Sequence, residues 1–158
     1  MRETVVEPAA PAARPAGAPF VACFLAWLVP GLGHLYLRKK DRAAVFFTVV
    51  LGLFALGVAS DGAASLFEPR QPLSFLATLD NLATGPIDLV SRYHTYGGIV
   101  FALPGEDGDP RRTDLLNRLR ARVRSVTYEY GTIFLLTAGL MNILLILDCY
   151  DIASGRKN

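Results

Sequence analysis

His34, Asp148 and Asp151, with Tyr36 close by, are the side chains of this sequence best suited to chemistry. An imidazole and two carboxylates are ligand types that a divalent metal accepts, and the phenol could assist. The set is drawn from two distant segments, however, and no tight ligand spacing joins them. The plainer reading takes precedence: His34 hydrogen-bonds a carboxylate or carbonyl, and Asp148 anchors a helix end or pairs with Arg38 or Lys39. No metal and no cofactor is expected. Glu129, Asn142 and Asp148 could begin a proton path, but such paths need ionisable groups deep in a bundle, and only Asn142 is deep in an apolar run. Gly31-Leu32-Gly33 follows an apolar run and has no lysine in register, so it is not a phosphate loop. No Ser/His/Asp set and no CxxC pair is present. No catalytic residue is assigned, and the chain reads as a non-enzyme.

The elements that must position these residues are greasy. The chain has 158 residues, 52% of them hydrophobic, and its charges are unevenly spread. Gly17–Leu37, Ala43–Ser60 and Tyr130–Leu147 carry no formal charge, taking His34 as neutral. Eighteen helical residues cover about 27 Å, close to the hydrocarbon thickness of a bilayer. The expected fold is therefore an all-α membrane protein with about three transmembrane helices and a basic amphipathic helix at the interface. Pro30 removes a helical hydrogen bond and clashes with the turn before it, while Gly31 and Gly33 loosen the backbone. The first span is thus expected to kink at Pro30–Gly33, with a re-entrant loop the alternative, since a re-entrant backbone survives only where protein or water satisfies it.

Six segments follow from this. Residues 1–19 form an Ala/Pro-rich extended tail. Residues 20–60 form a transmembrane helical hairpin, with Asp41 a suitable N-cap for its second helix. Residues 61–110 are read as short helices and loops at the interface, since no uncharged run there reaches 18 residues, and Pro104–Pro110 is a turn-forming breaker. Residues 111–127 form the basic amphipathic helix, with Leu116, Leu119, Val123 and Val126 at helical spacing. Residues 128–150 are the last span, introduced by Tyr128 and Tyr130 at the interface, and 151–158 are a C-terminal tail. Asn142 faces the bundle, because an amide in hydrocarbon needs an interhelical partner. Cys23 and Cys149 are expected as buried thiols, and no cleavable signal peptide or lipoprotein box is expected.

Net charge is +2, but the positive residues cluster. Arg38, Lys39, Lys40 and Arg42 form one group; Arg118, Arg120, Arg122 and Arg124 belong to the other. Both are expected at lipid headgroups. Nucleic acid is not expected as a partner, because no binding fold or aromatic interleaving accompanies the arginines. Three spans put His34, Tyr36 and the first cluster on one face with Asp148 and Asp151. They also put the two basic groups on opposite faces, against the positive-inside tendency. A further crossing within 61–109, or a re-entrant first segment in reversed orientation, removes that conflict.

Pro30-Gly31-Leu32-Gly33-His34-Leu35-Tyr36-Leu37, followed by basic residues and an apolar run, resembles a motif of small bacterial membrane proteins; Arg38 stands where their usual form has Gly. The stretch is distantly similar to the two-transmembrane-helix domain family, whose hairpin carries Gly-His-x-Tyr/Phe and a later Asp near a span end, the place of Asp148 here. Gly131 to Ala153 resembles the closing segment of an uncharacterised bacterial inner-membrane family that combines both motifs. The resemblance implies a multi-pass inner-membrane location and a helical hairpin, and carries no established activity.

The expected role is structural or partner-binding. Gly52, Ala55 and Ala59 form a small-residue stripe that would let another helix approach closely, from a second copy or another membrane protein. The alternative is a small-solute or ion transporter, or its accessory subunit, using His34 and Asp148.

Overall fold

The computed structural model describes residues 18–105 and 108–157, and among these the chain is all-helical. Seven helices follow one another: α1 (Ala18–Leu28), α2 (Leu32–Tyr36), α3 (Lys40–Ala59), α4 (Pro72–Ala83), α5 (Asp88–Tyr96), α6 (Pro110–Val123) and α7 (Tyr128–Ala153). The expected tail lies outside the described residues up to Gly17, as do two residues of the Pro104–Pro110 turn.

With 20 and 26 residues, α3 and α7 are the two described helices long and apolar enough to cross a membrane. They lie antiparallel, with Val50, Phe54, Leu135, Ala138 and Leu145 between them. Near one end they touch at backbone level. A Cβ on Gly57 would lie 2.7 Å from the Leu135 side chain, and one on Gly62 would lie 2.4 Å from the Gly131 carbonyl carbon. The stripe expected to admit a neighbour is elsewhere: Gly52, Ala55 and Ala59 face outward, and nothing lies within 4 Å of a Cβ built on Gly52. Asp41, expected as the N-cap of α3, instead sits inside its first turn, where it still opposes the positive end of the helix dipole.

No single helix covers 17–37. α1 ends at Leu28, before Pro30, and Gly31 takes φ 85, a left-handed conformation that reverses the chain. α2 then folds back along α1, so closely that a Cβ on Gly33 would lie 2.4 Å from the Ala22 carbonyl oxygen and 2.7 Å from Cys149 Sγ. α1 runs antiparallel to α7. Ala22 packs with Cys149 and Ala153, and Ala26 reaches Asn142, half-way along α7.

The 61–110 segment builds a second hairpin from the other end. α4 begins with Pro72 at its first turn and runs parallel to α7. Asp80 reaches the level of Gly139, and Ala83 reaches Asn142. Gly85, at φ 90, turns the chain, Pro86 follows, and α5 returns. Instead of lying on a surface, this segment penetrates to the middle of the fold. Each half of the chain therefore has one layout: a short helix, a Gly/Pro reversal, a second short helix, and later a long one. The two hairpins enter from opposite ends and meet tip to tip beside Asn142.

α6 starts from Asp109, whose carboxylate accepts the Arg111 amide at 2.7 Å, and it packs on α5. Leu115 is its buried residue, grouped with Leu66, Tyr96 and Leu103, whereas the expected apolar positions Val123 and Val126 are exposed.

Candidate functional site

At the end of α7 the structure brings together His34 and Asp148. α2 is too short to hold itself, and its position depends on Gly33, the residue that lets it lie against α1 and α7. His34 is wholly buried. Its Nε2 is 2.9 Å from Asp148 Oδ2 and its Nδ1 is 3.2 Å from Cys149 Sγ, while its ring packs against Phe46 with centroids 4.9 Å apart. This pattern assigns the proton to Nε2, donating to the carboxylate, with Nδ1 accepting from the thiol. Lys157 donates to the other Asp148 oxygen, and Arg42 Nη1 lies 3.9 Å away. The cations beside Asp148 are thus Lys157 and Arg42 rather than Arg38 or Lys39. Both ring nitrogens of His34 are engaged, so it has no free lone pair for a metal. Asp151 stands aside, 3.8 Å from Arg156, and Tyr36 is half exposed. The arrangement is a clamp: one carboxylate ties α2, α3 and the C-terminal segment to α7.

A second layer lies half-way along α7. Asn142 is wholly buried, and its Nδ2 donates to Ala83 O at 2.8 Å and to Ala26 O at 3.4 Å. One amide therefore caps the carbonyl ends of both α1 and α4, groups that have no partner inside their own helices. Trp27 Nε1 donates to Leu82 O at 3.1 Å, tying one hairpin tip to the other. Gly139, one turn before Asn142, lets Asp80 close on α7: a Cβ there would lie 2.3 Å from Asp80 O and 2.7 Å from its Oδ2. Among the described residues neither carboxylate oxygen of Asp80 has a hydrogen-bond partner, nor does Asn142 Oδ1, and all three are buried.

The third polar cluster is internal to the second hairpin. Asp88 and Arg92, one helical turn apart, pair at 2.6 Å. Arg92 also donates to Ser65 O at 3.0 Å and Val100 O at 2.8 Å, and lies 4.4 Å from the Phe101 ring centroid. Tyr96 Oη donates to Ala64 O. A charge taken this far from water persists only when paired and hydrogen-bonded, and here the network staples two connecting segments to α5.

Of the expected headgroup residues, Arg38, Lys40, Arg118, Arg120 and Arg124 are exposed. Arg118 pairs with Asp114 at 2.9 Å; Arg122 donates to His94 O at 3.0 Å and lies 3.6 Å from Asp61. Asp80, Asp88 and Arg92 were not among the residues expected to matter. The Asp88–Arg92 spacing is an i,i+4 ion-pair signal readable in the sequence, whereas nothing local marks Asp80 as buried.

The chain belongs to DUF6677, a family of unknown function, whose model matches residues 21–158 and so spans both hairpins and both long helices. No curated protein and no solved structure matches it.

Proposed function

We propose that this is a multi-pass protein of a bacterial inner (plasma) membrane in which α3 and α7 cross the bilayer. The α1–α2 and α4–α5 hairpins enter it from opposite sides without crossing. What carries this reading is the inverted placement of polarity. Phe20, Phe24, Val45, Leu56, Leu73, Leu76, Leu140 and Leu144 are exposed, while His34, Asp80, Asp88, Arg92 and Asn142 are buried. A protein folded in water buries the first set before the second. In lipid the outward apolar side chains are already in their preferred solvent, and broken backbone at depth is tolerated where protein caps it, as Asn142 does. The basic residues at 38–42 and along α6 then meet headgroups on the two sides, so the re-entrant first segment does not bring the two groups to one face: α3 alone separates them. The Gly-His-x-Tyr hairpin motif fits the same location.

Its role is that of a structural or partner-binding subunit. The clamp is made within the chain, and Gly52, Ala55 and Ala59 offer an outward face for a helix of a second copy or another membrane protein. Sided labelling of single cysteines placed near residues 5, 105 and 154 tests the topology. The expected result is residues 5 and 154 on one side and 105 on the other; three continuous spans would put 5 and 105 together. Ala55→Leu with Ala59→Leu should dissociate a detergent-stable assembly, and a wild-type monomer refutes the partner role. One observation favours a second reading, handling of small ions: the uncompensated oxygens of Asp80 and Asn142 at half depth, rather than the satisfied His34–Asp148 pair.

A further inference from the structure

We propose that the Asp80–Asn142 layer binds one Na+ ion, held between the Asp80 carboxylate and Asn142 Oδ1. The inference rests on the second reading above and names its ligand. Three buried oxygens, Asp80 Oδ1 and Oδ2 and Asn142 Oδ1, lack a hydrogen-bond donor among the described residues. They belong to one interface. Asp80 packs on Gly139, Asn142 is three residues further along α7, and its amide bonds Ala83, three residues beyond Asp80 on α4. Positions three apart on a helix are neighbours, about 5–6 Å between Cβ atoms.

The surroundings favour positive charge. α1 and α4 both end here, so two helix C-termini, each carrying roughly half a negative charge, point at the layer. Asn142 Nδ2 is consumed by their carbonyls, and its oxygen is left without a donor among the described residues. Among the described residues no three His, Cys, Asp or Glu side chains gather as a metal set. A single carboxylate with neutral amide oxygens matches the charge of a monovalent ion better than that of a divalent one. A protonated Asp80 could donate its one O–H to Asn142 Oδ1, but its second oxygen would still lack a donor, whereas one Na+ answers all three oxygens. A cleft of about 320 Å3, with Ser65, Leu66, Ser74, Ala77, Leu119 and Thr132 among its lining, reaches α4 one turn short of Asp80.

Trp27 is the only tryptophan, and its indole bonds Leu82, in the adjacent turn of α4. Its fluorescence therefore reports on the layer directly. Purified protein in nanodiscs is titrated with NaCl against KCl and choline chloride at constant ionic strength, with Trp27 emission, Tm and equilibrium 22Na+ binding read in parallel. The expected result is a saturable, Na+-selective change in emission and Tm with one 22Na+ bound per chain. Asp80→Asn should lose bound 22Na+ by tenfold or more while keeping the wild-type Tm in choline. Should Asp80→Asn fail to fold, Asp80→Glu keeps the charge, moves the oxygens by one methylene, and should shift Na+ affinity while leaving the Tm in choline within a few degrees. No 22Na+ on the wild type, an equal response to K+, or unchanged binding in Asp80→Asn or Asp80→Glu overturns the site. Sided labelling tests the membrane topology separately, and 22Na+ flux into liposomes tests ion handling, so a protein that crosses the bilayer and binds Na+ without passing it refutes only the second reading.

Discussion

Two glycines in the long helices provide a matched test of the packing. Gly139 faces α4 and Gly52 faces outward. A Cβ at Gly139 would lie 2.3 Å from Asp80 O, where ordinary contact begins at 3.4 Å, so Gly139→Ala must push α4 away by about 1 Å. The bond from Asn142 Nδ2 to Ala83 O, 2.8 Å long, would then stretch to about 3.8 Å and cease to be a hydrogen bond. Overpacking costs about 1–3 kcal/mol, and the lost bond about 0.5–1.5 kcal/mol. Against this, replacing Gly by Ala inside a helix returns about 1 kcal/mol. The net expectation is a loss of about 1–3 kcal/mol for Gly139→Ala. Gly52→Ala has only the favourable part, because nothing stands within 4 Å of the new methyl, and should gain up to about 1 kcal/mol. Unfolding in mixed micelles titrated with a denaturing detergent and followed by Trp27 emission gives both numbers. A Gly139→Ala protein as stable as wild type, or a Gly52→Ala protein as damaged as Gly139→Ala, would refute the α4–α7 contact.

Three further outcomes are expected. Asp148→Ala leaves His34 Nε2 buried without its acceptor and frees Lys157, so it should cost about 1–3 kcal/mol in the same unfolding assay. Asp88→Ala strands the buried Arg92 guanidinium and should cost about 3–5 kcal/mol, whereas Asp88→Leu with Arg92→Met removes both charges and should recover much of that loss; Tm values of the wild type and the two variants decide it. Gly33→Ala should separate α2 from α1, since the added carbon meets Ala22 O at 2.4 Å, and the reactivity of Cys149 toward a membrane-permeant thiol reagent should rise as the contact opens.

The long helices were readable because 43–60 and 130–147 are apolar runs interrupted by neither charge nor proline, whereas the equally apolar 17–37 carries Pro30. The break at Pro30–Gly33 was equally readable; whether the chain kinks or doubles back there was not. That outcome depends on what caps the freed carbonyls, and the caps, Asn142 and the Trp27–Leu82 bond, come from distant parts of the chain. His34 and Asp148 were placed on one face by counting three crossings. They share it by another route, because α2 returns to the end from which α1 started. Residues 61–110 resisted reading for a different reason. Asp80, Asp88 and Arg92 look in sequence like residues that keep a segment in water, yet all three are buried, one pair by mutual neutralisation and Asp80 under the shelter of Gly139.

The indole-to-carbonyl link between Trp27 and Leu82 joins the tips of the two hairpins, which enter the fold from opposite ends. A displacement of one tip must either break its bonds to the other or drag the other along. The chain thus holds a mechanical linkage only a few hydrogen bonds wide between its two ends, Trp27 to Leu82 and Asn142 to both Ala26 and Ala83, and a Phe in place of Trp27 would remove one of them.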